Sequence, residues 1–201
     1  MNIASSLPFF KALSILAVAL MSYSCSGPAD GNQAVPKPEA WPRIEIPAEE
    51  YSVRTFNDTA IPFNTSANVD SQNKDGGIWI DVTYPTFANA RLYLTLLPVT
   101  DRQELTEAIE NRRERMELNT GGAVTELIEL TSDGDWEGLL AVTRSSLTTP
   151  VQLLAHDGRH LLSGALYFNF PPETPTDSVA PIVRTVRRDM LHALKHITTV
   201  K

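Results

Sequence analysis

Apolar residues recur at every second position in several short stretches of this chain, and at three- and four-residue spacing in two longer ones. Arg43-Ile44-Glu45-Ile46-Pro47 alternates polar and apolar, which predicts a strand. Ile78, Ile80, Val82 and Tyr84 share one face of a second strand, which Pro85 ends. After a short turn with Asn89, Leu92, Leu94 and Leu96 line a third strand, Arg91 to Leu97, so the two predict an antiparallel hairpin. The polar stretch Asn68 to Gly77 reads as a loop. Val124 to Leu130 and Trp136 to Thr143 flank the turn Ser132-Asp133-Gly134-Asp135. Val151 to His156 and Arg159 to Phe170 flank Asp157-Gly158, and Asp-Gly between alternating runs signals a hairpin. The last of these strands, through Gly164 to Phe168, is the most apolar, which places it at the centre of a sheet.

Two segments carry helical spacing. Asp101 caps the first, with Glu104 three residues on, and Gly121-Gly122 stops it. Leu105, Ala108, Ile109 and Met116 make only a thin apolar stripe, so this helix belongs on a surface. Asp177 or Ser178 caps the second, which runs to about His196 and tolerates Pro181 in its first turn. Val179, Ile182, Val183, Val186, Met190, Leu194 and Ile197 form a broad stripe that should bury against the sheet. Pro171, Pro172 and Pro175 break the chain before it. Strands, a helix, four strands and a helix predict an α+β fold: an antiparallel sheet of about six to seven strands with helices packed on it. In element order this resembles the α/β/α sandwich of the Mog1/PsbP-like class.

One apolar run fits neither pattern. Ala12 to Met21 carries no charge over ten residues. That is too short to cross a bilayer, which takes about 20 residues, and it suits the core of a secretion signal, about 7–15 residues. Cys25, the only cysteine, follows directly, with the small Ser24 before it. The placement reads as a bacterial lipoprotein signal, in which the thiol takes a diacylglycerol and the chain is cut before Cys25. Lys11 is the only cation ahead of the run, and Ser22 stands where most lipoproteins carry Leu, so an ordinary secretory signal cut nearby is the alternative. Residues 26–40 are rich in Gly, Pro and polar residues and read as a flexible tether, with a root-mean-square reach of roughly 20–23 Å. The expected organisation is a signal peptide over 1–24, a tether over 25–40 that starts at the lipidated cysteine, and one globular domain over 41–201.

The net charge of the chain is −7, and removal of residues 1–24 takes away one cation, Lys11, and no acid, leaving −8. An acidic chain with scattered Lys and Arg lacks the basic stripe of a nucleic-acid binder. It is repelled by anionic headgroups, so membrane affinity would come from the acyl chains. A single cysteine allows no intramolecular disulfide, and stability must come from the core.

Candidate chemistry is sparse. His192 and His196 share a helix face at a spacing that can bind zinc, but a metalloprotease pattern needs Glu where Ala193 stands. Asp133-Gly134-Asp135-Trp136-Glu137 alternates acids as calcium loops do, without the twelve-residue frame, and reads as a turn. His156, Asp157 and His160 flank a turn, and the serines available to them, Ser145, Ser146 and Ser163, sit in no Gly-x-Ser-x-Gly elbow. No glycine pair is followed by the Lys-Ser/Thr of a phosphate loop. Trp79, Tyr84, Tyr93, Trp136, Tyr167 and Phe168 lie on predicted strands and read as core. The residues therefore predict no catalytic group, no cofactor and no metal, and a binding or scaffolding role.

Four ordered stretches are similar to the gliding-motility lipoprotein GldD family of Bacteroidota. They are Pro36 to Ile44 with Pro47 and Tyr51; Trp79 to Pro85 continuing to Pro98; Thr149 to Leu154 with His160 to Phe168; and Pro171, Asp177 to Pro181 and Arg188 to His192. The chain departs from the family at Ile61-Pro62-Phe63, where Cys-Pro-Phe is frequent, and at Asn64-Thr65-Ser66 and His156-Asp157-Gly158. The resemblance implies a palmitate-bearing, periplasm-facing lipoprotein needed for gliding and for the linked type IX secretion apparatus. Its partners would be other envelope proteins of those machines. The family assigns no catalytic residue, and His192 and Asp189 match its pattern without a stated role. The competing expectation is a ligand-binding or weakly catalytic module using a cleft between sheet and helices, lined by Asp81, Thr83 and Thr95.

Overall fold

The structure is a computed structural model that describes residues 44–87, 90–144, 149–168 and 176–200. Cys25, the expected signal and tether, Asn89, Ser145 and Ser146 lie outside the described residues. Among the described residues, ten strands form two antiparallel sheets. The larger has seven strands in the order β3 (Asn68–Lys74), β4 (Gly77–Thr83), β5 (Ala90–Pro98), β9 (His160–Phe168), β8 (Val151–His156), β7 (Glu137–Thr143), β6 (Thr125–Thr131). The smaller has three, in the order β1 (Tyr51–Phe56), β2 (Thr59–Asn64), β10 (Thr198–Thr199). Two helices, α1 (Arg102–Thr120) and α2 (Thr176–His196), pack against them, so the fold is α+β as the patterning predicts. The apolar strand β9 is the central one of seven.

Register explains the layering. Leu92, Leu94 and Leu96 of β5 stand opposite Val82, Ile80 and Ile78 of β4, and opposite Leu166, Gly164 and Leu162 of β9. All of these side chains point to one face, where α2 lies with Val179, Ile182, Val186, Met190 and Leu194 buried. Each fully buried aliphatic side chain of this kind contributes about 1.5–3 kcal/mol. At position 164 the neighbour Leu94 fills the space, and a Cβ would meet the Leu94 side chain and the Tyr93 carbonyl, so glycine is required there by packing. The alternate residues face the other way, where α1 packs on β8 and β9. There Leu105, Leu154 and Leu161 form a second, smaller core with Ala108, Ile109 and Met116 packed on it. The Asp101 carboxylate accepts from the Glu104 N–H at 2.9 Å, and Gly121 ends the helix in the left-handed conformation.

Three expectations change. Ile44 to Pro47 is not a strand: Ile46 is exposed, and the Pro47 carbonyl accepts from Arg188 instead of a neighbouring strand. Asn68 to Gly77 is not a loop. It is the edge strand β3 and the turn Asp75-Gly76, both at positive φ, leading into β4. Because β3 is exposed along nearly its whole length, its side chains carry no alternation, and only backbone pairing makes it a strand. Residues 51–64, assigned no element from the pattern, form the β1–β2 hairpin around Asn57, at φ 52°. β2 is buried at every position and carries Pro62, so neither face of it alternates.

Candidate functional site

The α2 helix carries a buried acid, Asp189, at 2 % exposure beside its apolar stripe. The Tyr84 hydroxyl, just past the end of β4, donates to one carboxylate oxygen at 2.6 Å. The Tyr51 hydroxyl, at the start of β1, and Arg188 Nε donate to the other, each at 2.9 Å. Arg188 also reaches Glu49 and the Pro47 carbonyl, both at 3.3 Å. Burial pushes the Tyr84 hydroxyl far above its ordinary pKa, and the Asp189 charge adds to the shift. Burial and the hydrogen bond to Asp189 push Tyr51 up to about 12. Burial would lower Arg188, but the Asp189 carboxylate more than offsets it. Phenols that stay protonated and a guanidinium that stays charged are what a structural clamp needs. Asp189 thus ties α2 to both sheets and to the segment before β1.

The helical histidines extend this clamp. The His192 ring stacks on Tyr51, with centroids 3.6 Å apart and planes at 12°, and its pKa is lowered by burial and by His196 beside it. His196 Nδ1 lies 2.7 Å from Asp133 in the β6–β7 turn. That turn receives the end of α2: the Asp133 N–H donates to the Lys195 carbonyl, and the Ser132 hydroxyl donates to the Ile197 carbonyl. Of the alternating acids of 133–137, Asp133 therefore serves a helix terminus, while Glu137 lies 3.6 Å from His156 on β8. Among the described residues, no group of three or more His, Cys, Asp or Glu is placed to hold a metal ion.

A second cluster gathers at the β8–β9 turn. His160 places one ring nitrogen 3.1 Å from Asp58 and the other 3.2 Å from Asp157, while its ring stacks on Trp136. Burial alone would raise the Asp157 pKa. The Thr199 hydroxyl, the Arg159 and His160 N–H groups and the His160 ring outweigh it and hold Asp157 at about 2. Trp136 Nε1 donates to the same Thr199 hydroxyl at 3.1 Å. These contacts pin β10 and the β1–β2 turn to the large sheet. Ser163 is not brought to them: it faces the α1 side of β9, as Leu161 does, while His160 faces the α2 side.

The open part of the α1 face is different in character. A groove of about 390 Å³ runs between α1 and strands β4, β5, β9 and β8. Trp79, Tyr93 and Tyr167 form its aromatic floor, and Arg112, Arg115 and Met116 form its wall. Patterning placed these three aromatics in the core, and that is corrected: Tyr93 is 37 % and Tyr167 46 % exposed, and Trp79 is half-buried. Tyr84 and Trp136 are buried as expected. Alternation marks which residues share a face, but not that α1 is too far along the sheet to cover this half. Of the residues expected to line a sheet–helix cleft, Thr95 does, whereas Asp81 and Thr83 lie on the same sheet face outside the lining.

The fold and these contacts define an α+β domain whose buried polar groups hold helix, tail and sheets together and which leaves half a sheet face uncovered. The chain belongs to the gliding motility lipoprotein GldD family, whose sequence profile matches residues 31–199. Membership implies a lipid-anchored protein of the cell envelope with a role in gliding motility, associated with the membrane and the motility machinery. No curated protein matches the chain. No helix among the described residues is long and apolar enough to cross a membrane.

Proposed function

We propose that this protein is a non-catalytic assembly or interaction factor, anchored through a lipid on Cys25 and facing the periplasm, that supports gliding and the associated type IX secretion machinery. Family membership supports the motility role. The observation that carries the interaction role is the uncovered half of the seven-stranded sheet, where aromatic side chains face solvent beside α1. The absence of catalysis is supported by how the titratable groups are used: Asp189, Asp157, His160, His192 and His196 all have structural partners. A second reading, a small-ligand or weakly catalytic module, draws on the same groove with its partly buried Thr95 and buried Ser163.

The test is genetic. Deletion of the gene, in a strain that spreads and secretes through the type IX route, abolishes both, and the full-length gene restores them. A deletion strain that spreads and secretes normally refutes the proposal. Cys25→Ser abolishes palmitate labelling and releases the protein from the membrane fraction; continued labelling removes the anchor from the reading.

A further inference from the structure

The groove beside α1 has a charge that the rest of the chain does not. Its lining contains two guanidiniums, Arg112 and Arg115, and no carboxylate, in a chain of net charge −7. Neither arginine has an acid three or four residues away on α1; those positions hold Ala108, Ile109, Met116, Asn111, Leu118 and Asn119. No ion pair or hydrogen bond engages either side chain among the described residues, whereas Arg187 and Arg188 on α2 are both paired. The two stand one helical turn apart and repel each other, and burial together with that repulsion lowers the Arg112 pKa. A hollow on the other side of α1 shows the contrast: its lining holds two carboxylates, Glu129 and Glu137, beside Arg113.

We propose that this groove docks an acidic segment of a partner protein, with carboxylates on Arg112 and Arg115 and intervening apolar side chains on Trp79, Tyr93 and Tyr167. The proposal rests on the interaction role above and names the chemistry of the partner. A guanidinium fork takes a carboxylate through two parallel hydrogen bonds, which suits an unpaired arginine at a groove wall. The exposed aromatics supply apolar contact area with little conformational freedom to lose. The groove is open rather than enclosed, so it admits a chain passing through. A sugar is disfavoured because two polar groups it would need are engaged already. Asn119 donates to Gln152 Oε1, and Gln152 Nε2 donates to the Met116 carbonyl, both at 3.1 Å.

The test uses the full-length lipidated protein in nanodiscs of neutral phosphatidylcholine. The probe is a short fluorescein-labelled peptide alternating Glu and Tyr, followed by anisotropy. The same peptide with Gln for Glu and an oligogalacturonate serve as comparators. The Glu peptide binds, more weakly as salt rises, and each of R112Q and R115Q weakens it by about tenfold, the size of one lost charge-assisted contact. R112E/R115E abolishes binding with an unchanged melting temperature, and Tyr93→Ala weakens it independently. No binding of the Glu peptide, equal affinity of R112E/R115E, or binding of the uronate alone overturns the proposal. In cells, R112E/R115E reproduces the deletion defect with normal protein levels. If deletion abolishes spreading but R112E/R115E spreads normally, the groove proposal fails while the envelope role stands. If deletion itself has no effect, the envelope role fails.

Discussion

Tyr84→Phe tests whether the Asp189 clamp holds the fold. Tyr84 is 5 % exposed, and among the described residues its hydroxyl is the one donor to Oδ2 of Asp189, itself 2 % exposed. Phenylalanine keeps the ring, so the packing against Phe87 is retained and the loss is confined to one hydrogen bond. Tyr51 and Arg188 both serve the other oxygen and do not replace it. A hydrogen bond to a buried charged group is worth about 1.5–3 kcal/mol. Water would rescue part of that only by entering a site with almost no exposure. The expected loss is therefore about 2 kcal/mol, with a fall in melting temperature of about 4–8 °C for a domain of this size. Urea unfolding followed by tryptophan fluorescence measures it, and the midpoint moves while the slope stays constant. Tyr51→Phe serves as a comparison and loses less, because Tyr51 is only half-buried and keeps its stack on His192. A double-mutant cycle with Asp189→Asn isolates the pair, with a coupling of about 1 kcal/mol or more. A Tyr84→Phe loss below about 0.5 kcal/mol, the range of an ordinary surface change, refutes the clamp.

Alkaline pH tests the same cluster. Tyr51 is raised from its ordinary 10 to about 12, so its contribution is complete below pH 10 and is lost as pH rises through about 12. The stability gap between wild type and Tyr51→Phe should narrow over that range, and a gap that stays constant contradicts the assignment. Asp157 is shifted the other way, from 3.8 to about 2, so its contribution is complete above pH 4 and disappears as pH falls toward 2. Acid unfolding of Asp157→Asn should converge on wild type in that window; parallel curves would exclude a role for the Thr199 and backbone hydrogen bonds. Gly134→Ala places a Cβ 2.7 Å from the Ile197 carbonyl and 2.8 Å from Thr198 Cα, so it costs about 1–3 kcal/mol as the tail is pushed off the β6–β7 turn. Unchanged thermal unfolding of this variant would show that the tail does not dock there.

Much of the secondary structure was legible because it is written in burial. Strands β4 and β5, and the stripe of α2, have one buried side, so solvent exclusion imposes a period of two or of about 3.6 on their residues, whereas β8 and β9, buried at most positions, were marked by the Asp157-Gly158 turn between them. The thin stripe of α1 was equally legible, down to its cap at Asp101. Strand β3 was not, since its side chains meet water along the edge, and neither was β2, which is covered all round and shows no contrast. The Asp75-Gly76 turn was the one local signal that could have found β3.

The candidate sites divide along the same line. Patterning by itself determined the α+β class, the central place of β9 and the two faces of its neighbours, because each depends on which residues of one element leave water together. The three-stranded sheet, the convergence of Tyr51, Tyr84, Arg188 and Asp189, and the pairing of His160 with Asp58 depend on residues far apart in sequence, up to 138 positions for Tyr51 and Asp189. Local spacing carries no information about such meetings. Only the tertiary structure decided that α1 stops short of Trp79, Tyr93 and Tyr167, turning expected core aromatics into the floor of an open groove, because coverage depends on where one element lies over another rather than on the periodicity of either.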